Sequence, residues 1–67
     1  MSESWISVYS AGFMYKVEIV NAVLEDNGIQ SVIVNKQDSS YFIGDIELHV
    51  HPDDVVRALA IIEKEQL

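Results

Sequence analysis

The segment GDIELHVHPDD, residues 44–54, decides the fold that this chain is expected to adopt. Between Gly44 and Val50, apolar residues alternate with polar or charged ones. A period of two is typical of a β-strand that turns one face to the core and the other to solvent or a partner. The apolar set, which should face inward, is Ile46, Leu48 and Val50, and the outward set is Asp45, Glu47 and His49.

A second helix of the chain should follow this strand. Pro52 suits the first position of a helix, where its missing N–H costs nothing, and the carboxylates of Asp53 and Asp54 complement the positive end of the helix dipole. Apolar residues then recur at helical spacing. The predicted buried stripe consists of Val55, Ala58, Leu59 and Ile62.

Before residues 44–54, the sequence pattern predicts a long helix that is followed by a strand. Residues 30–36 are rich in β-branched side chains, which favour a strand, and polar turn residues follow them. Before that strand, apolar residues spaced by four, three and four predict a helix over residues 11–27, with a buried stripe of Phe13, Val17, Val20 and Leu24. Gly28 suits the left-handed position after a helix, and Ile29 should pack against Leu24, as in a Schellman motif.

The first strand is predicted over residues 5–10, where aromatic and β-branched residues fill both phases. Ser10 is a candidate N-cap for the helix that follows. The resulting order is β-α-β-β-α, in a single domain over residues 1–67. The economical arrangement is an α+β fold, with a three-stranded sheet of order 1-3-2 and both helices on one face. This is the split βαβ of a ferredoxin-like domain that lacks its last strand.

The missing last strand would leave the backbone of the first strand as an unpaired edge, which small proteins must protect or use. The sheet face without helices should also expose Trp5, Tyr9 and Ile33. Tyr41 and Phe42 lie near the hairpin tip and are further candidates for contact. Because exposed apolar clusters are typical of interfaces, we expect a homodimer through this edge or face, and contact with a protein partner.

The composition limits the classes of function. With four basic and eleven acidic residues, the 67-residue chain carries a net charge of −7. That charge disfavours binding to nucleic acids or to an anionic membrane surface, because both need a basic face. The chain has no cysteine, which excludes disulfides and thiolate chemistry. It shows neither a secretory signal nor an apolar run near the ~20 residues of a membrane span, so the cytoplasm is the expected compartment.

Glu47, His49 and His51 form an E-x-H-x-H run along the predicted third strand and past its end. Alternate side chains of a strand share a face at a spacing of ~6.6 Å, which two imidazoles can use to bind one metal ion. The simpler interpretation is an ordinary polar outward face, with His51 at the junction before the second helix. A small-ligand or metal-binding sensor therefore remains an alternative function for this run.

Enzymatic activity is not expected. The sequence offers no set of nucleophile, base and orienting residue, and Asp38, Ser39 and Ser40 have the composition of a turn rather than of a nucleophile elbow. No cofactor is expected either. The residues instead favour a non-catalytic regulatory or protein-interaction module.

Several local sequences resemble the small bacterial family of putative prokaryotic signal-transducing proteins, whose fold is PII-like. They are Trp5, Val8, LEDNGI at 24–29, SVIVNKQD at 31–38 and IELHV at 46–50. The resemblance implies a PII-like, ferredoxin-like fold and a regulatory or adaptor role. It does not imply nucleotide sensing, because PII proteins use a long loop between the second and third strands. Only residues 37–43 are available here, without a basic residue for phosphates.

Overall fold

The computed structural model describes residues 4–38 and 44–67. Its elements are β1 (Ile6–Ala11), α1 (Met14–Asp26), β2 (Ser31–Asn35), β3 (Ile46–Val50), a 3-10 helix (Pro52–Asp54) and α2 (Val55–Glu65). The strands form an antiparallel sheet of order β1-β3-β2, which confirms the predicted α+β arrangement. In the ranges described, no helix has the length and apolar character needed to cross a membrane.

The two faces of the sheet differ because β3 alternates as predicted. Ile46, Leu48 and Val50 are at most 1% exposed and face the helices. Glu47 and His49 point to the opposite face, on which no helix packs within the described parts of the chain. The helix-side core is completed by Val17, Val20 and Leu24 of α1, Ile29, and Ala58 of α2. Both helices therefore cover one side of the sheet.

The end of α1 follows the predicted Schellman geometry. Gly28 adopts a φ of +79° and donates its N–H to the Glu25 carbonyl at 3.0 Å. The N–H of Ile29 bonds to the Leu24 carbonyl at 2.9 Å. Both Leu24 and Ile29 are buried, which is the apolar contact that accompanies this helix stop. The boundary was readable from sequence because a single glycine supplies the left-handed residue.

The start of α1 differs from the prediction. Ser10 is not its N-cap, because the β1 ladder continues through Ser10, opposite Glu47, to Ala11. Phe13 occupies the N-cap position in an extended conformation and makes no side-chain capping bond. Its side chain, expected in the buried stripe, is 61% exposed. Pairing with β3 has therefore overridden the local capping preference of serine.

The helical row that α2 buries also differs from the expected stripe. Ala58 is fully buried, while Val55, Ile61 and Ile62 pack against the core. Leu59, expected in the stripe, is 47% exposed. The buried row follows a spacing of three from Val55 through Ala58 to Ile61, which leaves Leu59 at the flank of the contact.

Candidate functional site

The pairing of β1 with β3 contains a bulge that changes which residues face the helices. Ser7 lies opposite His49 and Tyr9 lies opposite Leu48, so Val8 is an extra residue between the two pairs. Paired residues share a sheet face, and Leu48 faces the core. Tyr9 therefore packs against the core, and its predicted exposure on the helix-free face is wrong. A bulge shifts the alternation by one residue, which a strict period of two misses.

The predicted face of β2 is also reversed. Ile33 lies opposite Leu48 and packs against the core, so its predicted exposure on the helix-free face is wrong. The Ser31 hydroxyl, on the same side, donates to the Asn21 side-chain oxygen of α1. Val32 and Val34 consequently point away from the helices. Both phases of β2 contain β-branched residues, so hydrophobicity alone could not choose between them.

Trp5 is exposed as predicted, at 38% of its surface. Its ring meets the His51 ring edge-on, with 6.2 Å between the centroids. The alternation along β1 places Trp5 on the side of Ser7, away from the helices. Tyr41 and Phe42, the other predicted interface residues, lie outside the described residues.

We define the open face as the helix-free side of the sheet. Its members are Trp5, Ser7 and Ser10 from the β1 side, Glu47 and His49 of β3, and Val32 and Val34 of β2, with Lys36 beyond β2. The two valines and Lys36 were missed as site residues. Ser31 is the sequence feature that could have identified the valines. Its hydroxyl can hydrogen-bond to a helix only when Ser31 faces the helices, and Val32 and Val34 then face the other side.

The centre of the open face carries an ionic cluster of Lys36, Glu47 and His49. Glu47 Oε1 lies 2.8 Å from His49 Nε2 and 3.3 Å from Lys36 Nζ. The hydrogen bond from His49, followed by that from Lys36, holds the pKa of the Glu47 carboxyl below its ordinary value. Glu47 is therefore an ionised hydrogen-bond acceptor at neutral pH.

The E-x-H-x-H residues do not converge on one point. Glu47 and His49 bond to each other, whereas His51 Nδ1 accepts from the Asp53 backbone N–H at 3.0 Å and begins the 3-10 helix. Across residues 4–38 and 44–67, no group of three or more His, Cys, Asp or Glu side chains is arranged to hold a metal ion. The arrangement therefore fits a polar recognition surface with fixed charges.

The lowered pKa of Glu47 predicts a pH-dependent contribution to stability. A carboxyl whose pKa is lower in the folded state stabilises the fold above its unfolded-state pKa, and this contribution is lost as the pH falls through the folded-state pKa. We expect wild type to exceed Glu47→Gln in free energy of unfolding at pH 7. The difference should shrink once the pH falls below about 4, near the ordinary glutamate pKa.

Urea denaturation of both proteins between pH 7 and pH 3 measures this difference. Glu18→Gln, which alters an exposed carboxylate on α1, is the matched control and should differ less from wild type in free energy of unfolding at pH 7. A Glu47→Gln difference that stays constant down to pH 3 would contradict the assigned role of the cluster.

Comparison with known proteins points to one family. A family model described as "Putative prokaryotic signal transducing protein" matches residues 5–66 of the chain. Searches of curated proteins and of solved structures found no match to it. The matched region includes all the described helices and strands and the whole open face.

Proposed function

Because the chain belongs to the family of putative prokaryotic signal transducing proteins, we propose that it is a non-catalytic regulatory module of the cytoplasm that acts by binding other protein surfaces. We further propose that it works as a homodimer. The observation that carries this proposal is the uncovered side of the sheet, where an apolar strip lies beside a fixed ionic cluster.

The composition of the open face supports contact with a protein. Trp5 is 38% exposed and Val32 is 44% exposed, which are large fractions for apolar side chains on a sheet. Protein interfaces combine such apolar anchors with hydrogen-bonding groups, and aromatic residues are enriched among them. The Lys36–Glu47–His49 cluster supplies polar groups already held in place. A partner would therefore meet a surface that needs little reorganisation.

The charge of the chain indicates the kind of partner. The net charge is −7, so association with a strongly acidic protein would be opposed by repulsion. On the open face, however, Glu47 is paired with Lys36 and His49. We propose a neutral or basic partner surface that presents apolar side chains to Trp5 and Val32.

The open face also supports a non-catalytic role. Ser7 lies opposite His49, and His49 bonds to Glu47, which brings a serine, a histidine and a carboxylate to neighbouring positions. A nucleophile must hydrogen-bond to its base for activation. In the described structure His49 Nε2 bonds to Glu47, and no hydrogen bond joins His49 to Ser7. The bond from His49 to Glu47 supports our proposal that this histidine fixes a charge on the open face.

Trp5→Ala tests the proposed surface against a matched aromatic control. Immobilised wild type and variants are incubated with an extract of the source organism, and retained proteins are quantified by mass spectrometry. We expect Trp5→Ala to reduce the specifically retained proteins about tenfold, as loss of an aromatic anchor costs more than 1 kcal/mol at such sites. Tyr15→Ala, which removes a 58% exposed aromatic from α1, should leave retention unchanged.

Circular dichroism melting of both variants separates lost binding from lost folding. A folded Trp5→Ala variant that retains its partners as well as wild type would rule out the open face as the binding surface. Loss of binding in Tyr15→Ala alone would instead assign the contact to the helix side.

A further inference from the structure

We propose that a second copy of this chain pairs with the free edge of β2, antiparallel and centred on Ile33. The inference rests on the proposed homodimer and names the strand and register that form it. The product would be a continuous sheet of order β1-β3-β2-β2-β3-β1, with the open faces of both copies on one side.

The backbone of β2 presents regularly spaced groups at its free edge. The Lys36 N–H donates to the Asp45 carbonyl at 3.1 Å, and the β2–β3 register has no shift. Along an antiparallel ladder, hydrogen-bonded pairs recur at every second residue. Because Lys36 bonds to Asp45, the N–H and C=O groups of Val34 and Val32 also point to β3. Those of Ser31, Ile33 and Asn35 point outward, where no strand in the described residues meets them.

The edge of β1, which the sequence favoured for self-association, is less suitable. Glu47 and His49 use their backbone groups toward β2, so Leu48 and Val50 bond to Tyr9 and Ile6 of β1. The outward backbone groups of β1 then include those of Ser7 and Ser10, three residues apart because of the bulge. A regular strand presents such groups every two residues, and bulges are a known way of blocking edge pairing.

The sequence of β2 is self-complementary about its centre. Ser31-Val32-Ile33-Val34-Asn35 reads polar, valine, isoleucine, valine, polar in both directions. A two-fold axis at Ile33 would place Val32 opposite Val34 of the partner subunit and Ser31 opposite Asn35 of the partner subunit. A two-fold interface requires one patch to complement itself, and β2 meets that requirement in side chains and in backbone.

Charge also favours this edge for two copies of an acidic chain. No residue of β2 is charged, although the net charge of each chain is −7. In the proposed register, Lys36 lies opposite Gln30 of the partner subunit, so no like charges face each other directly across the new ladder. The paired valines would also form one apolar strip across both open faces, which enlarges the surface proposed for partner binding.

Cysteine cross-linking tests the register without background, because the chain has no cysteine. Positions 32 and 34 of opposite chains would form a non-hydrogen-bonded pair with Cα atoms ~4.5 Å apart, within disulfide range. Position 32 of each chain would be ~7–8 Å from its own counterpart, which is outside that range. We expect mixed Val32→Cys and Val34→Cys chains to form a disulfide-linked heterodimer about tenfold faster than either variant links to itself.

Ser7→Cys is the control on the β1 edge. Two Ser7→Cys chains should form a disulfide no faster than unassociated chains do through random collision. Faster linking of Ser7→Cys than of the mixed pair would overturn the β2 assignment in favour of β1. Preferential linking of the mixed pair at low micromolar concentration would confirm edge and register together.

Sedimentation of the unmodified chain separates this inference from the homodimer itself. A dimer whose mixed cysteine variants do not link would overturn the β2 register and leave the homodimer standing. A wild-type chain that stays monomeric at high micromolar concentration would overturn both. Two double variants give a second test: one carries Val32→Glu and Val34→Glu, and the other carries Val32→Lys and Val34→Lys. We expect each double variant to be monomeric alone and the two to associate when they are mixed. If each associates alone as strongly as the mixture does, the proposed pairing is contradicted.

Discussion

Leu48→Ala is expected to lower the free energy of unfolding by about 2–5 kcal/mol. Leu48 is fully buried at the middle of the central strand, opposite both Tyr9 and Ile33. Truncation would remove contacts to both flanking strands at once and leave a cavity that the sheet backbone cannot close. A chain of this length has a total stability of about 3–10 kcal/mol, so this loss is a large fraction of the total and should markedly lower the denaturation midpoint.

Urea denaturation, monitored by circular dichroism, measures this loss in free energy of unfolding. The matched control is Leu59→Ala, which truncates the same residue type where it is 47% exposed on α2. It should cost less than about 1 kcal/mol, because little apolar surface leaves the core. Equal losses in the two variants would mean that β3 does not form the centre of the packed layer.

Gly44→Ala is expected to destabilise the fold by about 1–3 kcal/mol through backbone strain alone. Gly44 has a φ of +110°, which L-residues with a side chain rarely adopt. A Cβ at this position would also lie 2.7 Å from the carbonyl oxygen of Lys36. That oxygen belongs to the backbone just after β2, so relief of the clash would require a shift at the base of the β2–β3 pair.

Gly28→Ala isolates the contribution of the backbone angle. Gly28 has a similar positive φ of +79°, but an added Cβ would meet nothing within 4 Å. It should cost about 1–2 kcal/mol, and Gly44→Ala should cost more than this in the same denaturation experiment. Gly12, where an added Cβ also meets open space and φ is not positive, should tolerate alanine best. A Gly44→Ala loss no larger than that of Gly28→Ala would show that the close approach to Lys36 is relaxed in solution.

The sequence predicted the candidate site only in part. The polar outward set of β3 was identified from its alternation, and Glu47 and His49 do occupy the open face. The ion pair between Lys36 and Glu47, which completes the ionic cluster, depends on which face of β2 lies on the open side of the sheet. Spacing along one strand cannot reveal a neighbour from another strand, so the same residues suggested a metal site.

The sequence by itself determined the order of elements, the end of α1 and the inward face of β3. Each follows from a local cause: a glycine with positive φ, a proline at a helix start, or a period of two with one apolar phase. Only the tertiary structure decided the faces of β1 and β2. In these strands both phases carry apolar residues, so local hydrophobicity does not decide which face of each strand points to the helices. The bulge at Val8 and the Ser31–Asn21 hydrogen bond, which arise from contact with β3 and α1, select between them.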